Sequence, residues 1–151
     1  MVAAAAALVE KSARLSTKHW DGAAGALEEA HSLRVKSFEL IEEDSQAFLA
    51  FVDATRSGND VAVARARTVD VPLRMTRAAA EVVELAVQLA RHGNPNLRAD
   101  AVVGAILAAA AADSGATLIA VNVEDKDDVR LDDAQKLARK ASELARALRD
   151  S

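Results

Sequence analysis

Between Ala101 and Val121 the chain carries a largely apolar run, rich in alanine and interrupted by Asp113-Ser114-Gly115. At 1.5 Å per residue such a helix is long enough to cross a bilayer, but alanine is weakly apolar and Asp113 would lie within the hydrocarbon. The run fits better inside a bundle, where small side chains let neighbouring backbones approach closely. The rest of the sequence agrees. Hydrophobic residues make up 51% of the chain and aromatic residues only 3%, so any core must be built from Ala, Leu and Val. These include the strongest helix formers, and only two prolines interrupt the chain. The expected fold is all-α, an up-and-down bundle of about five or six helices forming a single domain over residues 1–151. A chain of this length buries about 68–70% of its unfolded surface.

The turn in front of this run, Gly93-Asn94-Pro95-Asn96, has the chemistry of a helix boundary. Gly93 is expected to end the preceding helix with positive φ. Pro95 suits the first helical position, and Asn94 or Asn96 can cap the free N–H groups. Asp100 falls in the opening turns of the run, where the helix dipole favours an ionised carboxylate. Gly104 follows one turn later on the same face and leaves room where a side chain would stand.

Elsewhere the periodicity places four more helical stretches. Val2 to Lys18 is nearly all alanine on one side and begins without a capping segment, which suggests that something upstream is missing. Ala23 to Arg56 carries Leu33, Ser37, Leu40, Asp44, Ala47 and Phe51 on one stripe. Asp44 therefore sits on a face that should be buried, and a buried carboxylate needs a partner, a wet cavity or a ligand. Asp60 to His92 contains Pro72, expected to kink or break the helix near Asp70-Val71. Arg65, Arg67, Arg74 and Arg77 lack accompanying aromatics and are followed by Glu81 and Glu84, so they read as a solvated face with internal ion pairs. Leu131 to Arg149 closes the chain as a charged amphipathic helix.

Several classes drop out. There is no cysteine, the three histidines are scattered, and a net charge of −4 gives no general attraction for nucleic acid. Asp125, Asp127 and Asp128 lack the glycine and glutamate of a calcium loop. Val2 to Val9 is too short and too poorly flanked for a signal peptide. No metal, nucleic acid or membrane is expected, and the default location is the cytoplasm.

Three motifs in order resemble the cyclodeaminase/cyclohydrolase family, which includes the C-terminal part of formiminotransferase-cyclodeaminase and stand-alone methenyltetrahydrofolate cyclohydrolases. Gly93-Asn94-Pro95-Asn96 with Ala99-Asp100-Ala101 is similar to the family's G-N-x-N-x-x-S-D-A stretch. Leu40 to Phe48 resembles its L-x-x-x-D-x-x-A-F helix, and Val71-Pro72-Leu73 its V-P-L kink. The resemblance implies a helical domain that assembles as a homodimer or larger homo-oligomer. It also implies a tetrahydrofolate derivative as substrate, and no cofactor beyond it. Asp100 matches the active-site aspartate and is assigned as base, with Asp44 as the second carboxylate. Asn94, Asn96, Asn122 and Lys18 are the expected substrate-binding residues. The chain departs from the family pattern in lacking the P-G-G-G-S segment before the first helix, which reads as an N-terminal truncation. It also has Leu118 and Ala120 where the family's N-V-R-I-N stretch has Asn and Arg. The alternative is thus a helical assembly or ligand-binding protein of the same fold with impaired chemistry.

Overall fold

A computed structural model describes all residues from Met1 to Ser151, and five α-helices account for most of them. They are α1 (Val2–Arg14), α2 (Ala23–Ser57), α3 (Val61–His92), α4 (Arg98–Asn122) and α5 (Val129–Asp150), with a short 3₁₀ turn, Pro95–Leu97, leading into α4. The bundle is all-α, as the composition requires.

Side-chain pairings fix the directions. Lys11 reaches Asp100 while Ala5 and Val9 meet Gly104, so α1 and α4 are antiparallel. Glu10 meets Arg34, and Met1 to Ala3 lie by Ser37 to Ile41, so α2 is antiparallel to α1 as well. The α3–α4 hairpin is the spine: Thr76 lies against Gly115, and Thr68 against Asn122. The second helix covers α3 on one side and α5 covers α3 and α4 on the other. The shared core draws on all five helices and consists mainly of alanine with Val and Leu, as in Ala5, Ala78, Ala105, Ala112 and Ala138. The apolar run of α4 packs against α1, α3 and α5, which gives its small residues their place inside the bundle. It remains the one helix long and apolar enough to cross a membrane.

Three local expectations are corrected. The first helix ends at Arg14, four residues early, because Leu15 to His19 turn toward α2. Gly93 has φ −77°, not positive. Glycine is needed there for closeness, since a Cβ would stand 2.5 Å from Leu89 O and 2.7 Å from Ser16 Oγ. The third helix runs through Pro72 without a break. Proline has no N–H to give Thr68 O, the carbonyl four residues back. Asn122 Nδ2 donates to that carbonyl at 2.8 Å and fills the place of the missing amide.

Two expectations hold. Leu33, Ser37, Leu40 and Ala47 on the α2 stripe are buried. Three of the four arginines named on α3 pair with carboxylates of other segments, Arg74 with Glu43, Arg77 with Asp133 at 2.6 Å and Arg65 with Glu124 at 3.1 Å, while Arg67 makes no ion pair.

Candidate functional site

The two carboxylates singled out by sequence stand in different surroundings. Asp100 lies in the first turn of α4, half-buried, with its Oδ2 accepting from Lys11 Nζ at 2.9 Å. Arg98, two residues before Asp100, is engaged elsewhere: its guanidinium donates to Leu148 O and Ser151 Oγ at the C-terminal end of the chain. Both members of the Lys11–Asp100 pair touch solvent, so the bond is worth about 0–1 kcal/mol and a cationic ligand can compete for the carboxylate. Gly104 has a packing reason. Its added Cβ would stand 3.0 Å from Val9 Cγ2 and 3.4 Å from Ala5 O, so α1 crosses α4 closely just beyond Asp100.

Asp44 has no hydrogen bond and no ion pair, and burial pushes its carboxyl above the ordinary value of 3.8. It sits one helical turn beyond Leu40 and Ile41. Those two residues, with Met75, Leu118 and the start of α1, line a mainly apolar cavity of about 180 Å³. Ser37 and Ser114 supply its hydroxyls. A desolvated carboxylate with no cation, beside an apolar cavity, is suited to receiving a positive charge or a proton.

One chain does not bring Asp44 and Asp100 to a shared cavity. The cavity near Asp44 is lined by Met1 to Ala3, whereas Asp100 is tied to Lys11. Eight residues of α1 separate the two points, about 12 Å along the helix. Neither carboxylate lines any of the five principal cavities.

The asparagines are occupied by the scaffold. Asn94 Oδ1 accepts from Asn96 N at 3.0 Å, its Nδ2 donates to Leu15 O at 3.3 Å, and its N–H donates to Ser16 Oγ at 2.9 Å. It therefore both caps the 3₁₀ turn and pins that turn to the end of α1. Asn96 is exposed and takes part through its backbone, and Asn122 serves Thr68. Lys18 is exposed, beyond the end of α1, with no ion pair.

Sequence reasoning missed Glu10 and its neighbours. Glu10 is only 6% exposed, and its carboxylate accepts from Arg34 Nε at 2.6 Å and Arg14 NH2 at 2.8 Å. The Arg34 hydrogen bond outweighs burial and holds this carboxyl below its usual range. The available signal was a glutamate within the apolar face Ala6, Val9, Ala13, with an arginine four residues on.

Asp44 and Asp100 thus lie toward opposite ends of the first helix of a small-residue helical bundle. The family model for formiminotransferase-cyclodeaminase matches residues 1–143, and the chain belongs to that family. Its fold is similar to the crystal structure of formiminotetrahydrofolate cyclodeaminase from Thermotoga maritima. The TM-score is 0.82 at 24% identity, over 97% of this chain and 79% of that one. No curated protein sequence matches it.

Proposed function

We propose that this protein is a folate one-carbon enzyme, a methenyltetrahydrofolate cyclohydrolase or a formiminotetrahydrofolate cyclodeaminase. Both reactions pass through a cationic amidine or methenyl carbon held between two folate nitrogens. The observation that carries the reading, beyond membership in the family, is Asp44: a carboxylate with no cationic partner, raised by desolvation, one helical turn along α2 from the lining of an apolar cavity. A cation beside it recovers electrostatic energy that the folded chain otherwise forgoes. Asp100 is assigned as the base that takes a proton from the attacking water or nitrogen, once the cationic substrate has displaced Lys11. Given their separation along α1, the two act on one ligand only where a second copy of the chain brings them together. A homodimer or larger homo-oligomer belongs to this reading. The exposed Phe38, Ile41, Phe48 and Leu49 of α2, with Leu118 and Val121 of α4, support it as an apolar face available for assembly. Asn94, Asn96, Asn122 and Lys18 are secondary candidates for substrate contact. No metal, further cofactor, nucleic acid or membrane enters, and the cytoplasm is the proposed location.

The second reading, a helical assembly or ligand-binding protein without turnover, is favoured by Leu118. It gives an apolar wall at a position where the family pattern has a polar residue. The absorbance of methenyltetrahydrofolate decides between them. A cyclohydrolase lowers that absorbance faster than the uncatalysed rate, a cyclodeaminase raises it from formiminotetrahydrofolate with release of ammonia, and Asp100→Asn slows either by about 10²–10⁴-fold. A parent rate equal to background with both substrates leaves the second reading.

A further inference from the structure

At the C-terminal end of α1, three cations share the wall of one cavity. It measures about 430 Å³ and is lined by Ala7, Glu10, Lys11, Arg14, Leu15 and Arg34. The buried Glu10 carboxylate organises it: one oxygen takes Arg14 NH2 at 2.8 Å and the other takes Arg34 Nε at 2.6 Å. Each guanidinium is thereby fixed through a single N–H, and each keeps further donors. Arg34 NH2 also approaches His31 Nδ1 at 3.3 Å, which leaves its NH1 with no partner in the protein. One carboxylate needs one cation, yet this wall carries two guanidiniums and an ammonium. Even with Asp100 set against Lys11, the cavity holds an excess of positive charge in a protein whose net charge is −4.

We infer that Lys11, Arg14 and Arg34, held in place by Glu10, form a binding site for a multiply charged oxyanion. Guanidinium forks meet carboxylate or phosphate oxygens through paired N–H donors, and Lys11 adds a mobile point charge at the rim. The oxyanion comes either from the carboxylated tail of a larger ligand, including a folate-type substrate, or from a free phosphate species. Lys11 is also the partner of Asp100, so the site adjoins the proposed base, but the inference concerns binding alone and is tested without a pterin ring.

The test is isothermal titration of the full chain with glutamyl-glutamate and, separately, with inorganic pyrophosphate. Lys11→Gln and Arg14→Gln serve as site variants and Lys136→Gln, on α5, as a remote control. Both site positions are at least half exposed, so the fold tolerates the change, and circular dichroism checks it. The expected result is saturable binding of at least one probe, weakened about tenfold by each site variant, the share of one charge-assisted contact, and unchanged in Lys136→Gln. Binding of the dipeptide alone assigns the site to a carboxylated tail, and binding of pyrophosphate alone to free phosphate. No saturable binding of either probe, or binding that Lys11→Gln and Arg14→Gln leave unchanged, overturns the inference.

Discussion

Replacing Gly115 by alanine tests whether the helix spine is packed as closely as described. Gly115 sits in the one polar step of α4, and a Cβ there would overlap Thr76 Oγ1 and stand 3.3 Å from Pro72 O. Thr76 is fully buried, and its hydroxyl donates to Pro72 O at 2.9 Å, so it can move only by losing that bond. Overpacking costs about 1–3 kcal/mol and the lost hydrogen bond about 1 kcal/mol. Against this, alanine gains about 1 kcal/mol of helix propensity over glycine. The net expectation is a loss of about 1–3 kcal/mol, or a Tm lower by about 3–9 °C for a chain of this size. Gly25 in α2 is the control, because a Cβ there meets nothing within 4 Å. Gly25→Ala should raise Tm slightly while Gly115→Ala lowers it, and Thr76→Ala should recover part of the loss in the Gly115→Ala background. Thermal unfolding followed by circular dichroism measures all four proteins. A Gly115→Ala variant that gains stability as Gly25→Ala does would refute the close α3–α4 approach.

Three further outcomes follow from individual residues. Asn122→Ala should cost about 1–2 kcal/mol in chemical denaturation, since it leaves the carbonyl of Thr68 without a donor; an unchanged midpoint would show that the proline gap needs no filling. Asp44 has its folded pKa raised, so its contribution to stability is fully present below the ordinary 3.8 and is lost as pH rises through the raised value. Asp44→Asn should therefore raise Tm by up to about 2 °C at neutral pH and give no gain near pH 3, and a loss at neutral pH would mean that the carboxylate has a partner. Glu10 has its folded pKa lowered, so its contribution is present above 4.5 and is lost as pH falls through the lowered value. Glu10→Gln should cost about 1–3 kcal/mol at neutral pH, with the difference from the parent shrinking under acid titration; a difference independent of pH would point to packing alone.

The helical class, the α2 stripe and the turn before α4 were legible because each rests on local chemistry: propensity, periodicity and the capping of Asn94. The end of α1 and the geometry of Gly93 were not, because they depend on Ser16 and Leu89, which only the folded chain brings together. Pro72 was read correctly as a missing amide. The continuity of α3 was hidden because Asn122, the residue that compensates, lies 54 positions from Thr68, whose carbonyl it serves. For the site, the stripe pattern alone singled out Asp44 as a carboxylate on an apolar face. The Lys11–Asp100 pair and the Glu10 cluster were hidden because salt bridges between helices leave no periodic trace in the sequence. Where the two aspartates lie relative to one another depends on the direction of α1, which periodicity does not encode.

The proposed activity is turnover of a cationic folate carbon by the chain's own carboxylates. Its most direct test is incubation of the purified protein with formiminotetrahydrofolate and with methenyltetrahydrofolate, following ammonia release and methenyl absorbance together in the parent, Asp44→Asn and Asp100→Asn. The account predicts turnover of at least one substrate by the parent. It also predicts loss of that turnover in both variants, with circular dichroism unchanged. Turnover that survives in both variants, or a parent that matches the uncatalysed rate with both substrates, would contradict it.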